Sequence, residues 1–131
     1  MDNFLKQVCL FSTIDRETEK KIQKEVVSIL KSYCALKVCY ENELEQKRAG
    51  VTLFPELLDT KQVNQMKFLQ IERTLRNSLD KDEYSIIQMK YLNNKKLRDD
   101  YIYTNLLMTR DTFYRKKKSA FYLIAMSLGI I

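Results

Sequence analysis

Ile22, Val26, Ile29, Tyr33, Leu36 and Tyr40 follow one another at spacings of 4, 3, 4, 3 and 4. That rhythm puts six apolar side chains on one stripe of an α-helix and leaves Lys20, Lys24, Ser28 and Lys31 mostly off it. Val27, Leu30 and Cys34 widen the stripe to what a core-facing helix needs. Asp15 is suited to the N-cap, with Glu17 in the first turn. The same stripe could form the seam of a homodimer through residues 16–40. At about two and a half heptads it is short for a coiled coil, so packing onto the same chain competes with that reading.

"EQKRAGVTLFPELLDTKQ" breaks the rhythm with Gly50 and Pro55 and reads as a linker. The next helix is expected to begin near Thr60 or Lys61, with Phe68, Ile71, Leu75 and Leu79 on one face. Asp80 with Glu83 three residues later resembles a capping box and opens a further helix, whose buried side is read as Tyr84, Ile87 and Tyr91. "LNNKKLRDD" is a polar break. Asp99 or Asp100 then caps a short helix in which Ile102 and Leu106 face inward, flanked by Tyr103 and Leu107. Thr109 is the expected N-cap of the last helix, about 110–128.

These elements predict an all-α protein. An N-terminal helical region with its linker occupies 1–60, and a C-terminal unit occupies 61–131. The order helix, loop, short helix, tight turn, long helix is that of a helix-turn-helix with the final helix in the recognition position.

That last helix, "TRDTFYRKKKSAFYLIAMSLGI", has a basic first half and an apolar second half. With Phe113 at zero and about 100° per residue, Phe113, Lys117, Ala120 and Ile124 fall within about 40° of one another's stripe. Phe121, Leu123 and Leu128 flank them. Asp111, Arg115, Lys118 and Tyr122 fall near the opposite side. Lys117 is therefore expected to snorkel along the apolar stripe, Lys116 to face a flanking phosphate, and Arg115 and Lys118 to share the outward face. Tyr114 and Tyr122 read equally well as half-buried aromatics or as base contacts.

Composition narrows the chemistry. Two glycines and one proline in 131 residues leave few breakpoints, which favours helices over strands. Histidine is absent, which removes the usual general base and the commonest metal ligand. Cys9, Cys34 and Cys39 are odd in number and wrongly spaced for a four-ligand zinc site, which suits buried thiols in a reducing cytoplasm. No Gly-rich phosphate loop is present, and no cofactor is expected. The start, "MDNFLKQVCLF", lacks the pattern of a secretory signal, and no stretch is long and apolar enough for a membrane span. The chain reads as a non-enzyme.

The net charge is +6, but residues 95–118 hold eight basic residues against three acids, and the rest carry fifteen against fourteen. A basic patch concentrated in one such 24-residue window is the electrostatic footprint of a nucleic-acid face. The candidate double-stranded DNA contacts are Lys95, Lys96, Arg98, Thr109, Arg110, Asp111, Tyr114, Arg115, Lys116 and Lys118. An Arg in the first turns can hold guanine bidentately, while lysines and amide ends hold phosphates.

"TRDTFYRKKKSAFYLIA" resembles the recognition helix of sigma-factor region 4, with Thr109, Arg110 and Asp111 at its start and Phe113 as its buried anchor. Asp80–Tyr91 resembles the preceding scaffold helix. Tyr114 and Arg115 fall where sigma factors place base-reading side chains, although those factors usually have a basic or polar reader at the position of Tyr114. Over most of the chain the sequence is similar to the ArpU family of phage transcriptional regulators. The matching features are "ID" before Thr18, Tyr33, Leu36 and Lys37, then "KYL", "IY-x-x-LLM", "TFYRKK" and "LGI". Residues 45–62 offer no match. The resemblance implies a regulator of phage or prophage late genes in the cytoplasm of a bacterial host, in contact with RNA polymerase. The competing classes are a protein-interaction module, such as an antirepressor or polymerase adaptor, and a small phage DNA-packaging subunit.

Overall fold

A computed structural model describes residues 14–131; Cys9 and the "MDNFLKQVCLF" start lie outside them. Five helices follow one another among the described residues: α1 (Arg16–Ala49), α2 (Lys61–Asn77), α3 (Lys81–Tyr91), α4 (Asp99–Asn105) and α5 (Arg110–Ser127). No strand occurs among these residues, so the described fold is all-α.

Local chemistry sets the ends. Asp15 caps α1 by accepting from Thr18 N at 2.6 Å, and that bond holds its carboxyl below the usual range. The helix runs nine residues past Tyr40, because Glu45–Ala49 belong to it rather than to the linker. It stops at Gly50, whose φ of 69° lets its own N–H and that of Val51 fold back on the carbonyls of Lys47 and Gln46. Asp80 and Glu83 form the reciprocal capping box of α3, at 2.7 and 2.9 Å. Thr60 precedes α2 without a side-chain cap bond. Arg98, not Asp99 or Asp100, is the N-cap of α4, and the two acids sit in its first turn instead.

Packing divides into two clusters. The larger joins Ile22, Val26 and Leu30 of α1, Ile71 and Leu75 of α2, Ile87 of α3, and Ala120, Phe121, Ile124 and Ala125 of α5. Residues from both sides of position 60 thus share one core, and the inward stripe of α1 is covered by its own chain. The smaller cluster joins Ile86, Ile102 and Phe113 from α3, α4 and α5. Neighbouring Ile86 and Ile87 face the two clusters, which a single-stripe reading of α3 missed. Tyr84, read as core, is exposed.

The opening contrast in the last helix now has a physical basis. The first half of α5 touches the small cluster through one anchor, Phe113. Its second half enters the large core and is buried on more than one side, so Tyr122 is buried rather than outward. Beyond the large core, α1 and α2 continue as an antiparallel pair. Tyr40 stacks on Phe68 at 4.8 Å and Gln65 donates to Glu43 at 2.9 Å.

Candidate nucleic-acid interface

The turn from α4 to α5 spans Leu106–Thr109. Leu107 N donates to Thr104 O at 3.1 Å and Met108 N to Tyr103 O at 2.8 Å. This pattern requires a left-handed residue between them, and Leu107 supplies it at φ 58° with its side chain 95% exposed. The sequence pattern places it on the flank of the inward face; the structure turns it to solvent. Leu106 and Tyr103 do pack on the small cluster. Thr109 then caps α5, its Oγ1 accepting from Thr112 N at 3.2 Å. Short helix, tight turn and long helix therefore pack together around Ile102 and Phe113.

The lysine triplet does something other than expected. Lys116 lies 3.1 Å from Asp82 and 3.6 Å from Asp80, and these acids raise its pKa. It is committed to the start of α3 rather than turned to a phosphate. Lys118 lies 3.1 Å from Glu19 in the first turn of α1 while its side chain stays about half exposed. Lys117 snorkels as predicted. Its side chain is 17% exposed, its ammonium lies 5.8–6.0 Å from the ring centres of Tyr91, Phe113, Tyr114 and Phe121, and Asp99 is 3.8 Å away. Burial pulls its pKa down, against the opposing pull of Asp99. Three consecutive lysines thus reach three different helices, and every acid they meet lies at a helix N-terminus, where negative charge is already favoured.

Asp99 is the hub that sequence reasoning missed. Burial disfavours its charge, but Lys90 at 2.9 Å, Lys117 and the Tyr114 hydroxyl together hold its carboxyl below the usual range. Tyr114 donates to Asp99 Oδ2 at 3.1 Å, which raises the phenol's pKa, and Arg110 lies 5.6 Å over the Tyr114 ring. The signal in the sequence was there: an acid in the first turn of a short helix opposite a run of lysines.

The remaining candidates stay at the surface. Arg110, Asp111 and Arg115 are exposed in the first two turns of α5, and neither arginine makes an ion pair among the described residues. Lys95 and Lys96 are exposed in the loop before α4, where Asn93 Oδ1 accepts from Lys95 N at 2.7 Å. Arg98 pairs with Asp100 at 3.3 Å in the open, a contact of small energetic weight. The structure therefore places Thr109, Arg110, Asp111, Tyr114 and Arg115 at the start of α5, ties Lys116 to the start of α3, and leaves Lys118 at the surface beside Glu19.

Cys34 and Cys39 are free and half-buried, bonded to Leu92 O and Glu43 respectively. No group of acids or thiols among the described residues is arranged to hold a metal ion. No described helix is long and apolar enough to cross a membrane. Comparison with known proteins finds no family model, no curated protein and no solved structure that matches this chain.

Proposed function

We propose that α4 and α5 act as a sigma-region-4-like helix-turn-helix that reads the major groove of double-stranded DNA, and that the chain is a transcriptional regulator of the ArpU kind. The observation that carries this reading is the pair of acid-free arginines, Arg110 and Arg115, on the projecting end of a helix fixed by Phe113 and three lysine contacts. Rigid placement of bidentate donors is what base readout requires, and each good pair is worth about 1–3 kcal/mol of discrimination. Lys95, Lys96 and Arg98 serve phosphates and set register. Tyr114, held by Asp99, serves as a strut under Arg110 rather than as a reader. RNA polymerase remains the proposed partner of the rest of the surface.

The test is selection of bound fragments from a random duplex library, followed by affinity measurements on the enriched site. Arg115→Ala and Arg110→Ala are expected to lose roughly tenfold or more on that site with the fold intact. With Lys116, Lys117 and Lys118 held by acids, Lys95, Lys96, Arg98, Arg110 and Arg115 remain for DNA, which gives a log–log salt slope no steeper than about −4.5 per protomer. An unenriched library together with a flat salt response would reject DNA binding. A second reading, a protein-interaction module, draws on the exposed Leu107 and Tyr101, which line an open groove with Arg98, Asp100, Thr104 and Asn105. Polymerase capture without DNA affinity would favour it.

A further inference from the structure

Residues 51–60 carry no helix, and every one of them is exposed. Leu53, Phe54, Leu57 and Leu58 stand 65%, 75%, 90% and 73% open to solvent. Val51 before them, and Val63 and Met66 in the first turns of α2, are each about half exposed. The segment has a fixed seat. Leu53 N donates to Gln46 Oε1 at 3.0 Å, and a shallow groove of about 370 Å³ opens between Asn42, Gln46 and Ala49 of α1 and Val51, Leu53 and Phe54. So many exposed large apolar side chains gathered in one short stretch point to an interaction site.

Two observations identify the occupant. The first is area. Seven large apolar side chains about two-thirds exposed, at roughly 100 Å² each, present roughly 450 Å² of apolar surface. A standard interface buries about 800 Å² per partner, about 65% of it apolar in homodimers, or roughly 520 Å². The patch is the right size for one copy of itself. The second is charge. Lys47 and Arg48 close α1, Glu56 and Asp59 lie in the exposed segment, and none of the four makes an ion pair among the described residues. A two-fold copy sets the acids of one chain against the bases of the other, twice.

We propose that the tip of the α1–α2 pair is a self-association surface. A second copy docks there two-fold symmetrically, with Leu57 and Leu58 of each chain entering the groove beside Ala49 of the other. Lys47 and Arg48 face Glu56 and Asp59 across the contact. This differs from a seam along residues 16–40, whose inward stripe is already covered, and it does not depend on DNA binding. If the chain does bind DNA, the dimer places two reading helices on one rigid body.

Sedimentation equilibrium of the full chain across the micromolar range tests this. A monomer–dimer equilibrium is expected. Phe54→Asp is expected to weaken it about thirty-fold or more, as for a central apolar anchor, with the monomer's circular dichroism unchanged because Phe54 supports no core. A second test does not rely on apolar loss. Lys47→Glu with Arg48→Glu, and separately Glu56→Lys with Asp59→Lys, each weaken the dimer, whereas an equimolar mixture of the two double variants recovers it as a heterodimer. Wild-type chain that stays monomeric throughout would overturn the proposal and leave the patch to a different protein. A dimer indifferent to Phe54→Asp, or no recovery on mixing, would equally overturn this surface.

Discussion

Leu107→Gly is expected to stabilise the protein, although it deletes a large apolar side chain from the centre of the candidate interface. Leu107 sits at φ 58°, where a Cβ crowds the following carbonyl. For an L-residue that conformation costs about 1–2 kcal/mol. Glycine removes the cost and returns part of it, because its unfolded chain has more freedom to lose, about 0.4–1 kcal/mol. Nothing else is at stake, since the side chain is 95% exposed and supports no core. The net gain is about 0.5–1 kcal/mol, which for a chain of this size raises Tm by roughly 2–5 °C. Differential scanning calorimetry of three variants isolates the cause. Leu107→Ala keeps the Cβ and should stay within about 0.5 kcal/mol of wild type. Gly50→Ala and Gly129→Ala run the experiment backwards at φ 69° and 78°, where an added Cβ would meet no atom within 4 Å. Each should cost about 1 kcal/mol from backbone conformation alone. If Leu107→Gly is neutral or destabilising, or Leu107→Ala gains as much, the strain argument fails. If it holds, a leucine kept at a strained and fully exposed position points to a use for that side chain at the α4–α5 turn.

Three further outcomes follow from the contacts around α5. Glu83 is buried, completes the α3 capping box and accepts from Ser119 Oγ at 2.7 Å, so Glu83→Ala should lower stability by about 2 kcal/mol in urea denaturation; a loss near zero would deny the bridge to α5. Lys117→Met keeps a long stem among four rings and removes a half-desolvated charge, so it should fall within about 1 kcal/mol of wild type, whereas Lys117→Ala should cost about 2. Equal losses would show that charge, not packing, fixes this side chain. Asp99 has a carboxyl held below its ordinary 3.8 in the folded chain, so its contribution is complete above that value and fades as pH falls through the lower folded one. Asp99→Asn should therefore be less stable than wild type at neutral pH, and the gap in urea midpoint should close as pH falls through the lowered range in which the folded carboxyl protonates; a gap independent of pH would remove the ion pairs from the account.

The helices themselves were legible because caps and periodicity agree. Asp15, Asp80 with Glu83, and Thr109 mark real helix starts, and Ile22, Val26, Phe68, Ile71 and Leu75 mark real core faces. Two kinds of feature were not legible. One is a helix that faces two clusters. Ile86 was passed over and Tyr84 preferred, since a wheel assumes a single inward direction. Tyr122 was turned outward for the same reason, although the end of α5 is covered from several sides. The other is the destination of a long charged side chain. A wheel gives its direction, but only the fold supplies the acid it meets. Leu107 belongs with these: the turn was expected, but nothing in "LLMT" says which residue takes the left-handed conformation.

The same limitation bears on the electrostatics. Read along the chain, residues 95–118 carry a net of +5, and the triplet at 116–118 supplies most of it. In the fold, those three lysines point in directions about 100° apart, and each meets the acidic start of a different helix: α3, α4 or α1. Their charge is spent on orienting α5. On the proposed DNA-binding reading, what remains for a partner is an arginine pair on the helix end with Lys95, Lys96 and Arg98 before α4. Such a patch is weaker in total charge than the sequence suggests, but its arginines ride on a helix tied to its neighbours, an arrangement that favours discrimination over long-range attraction.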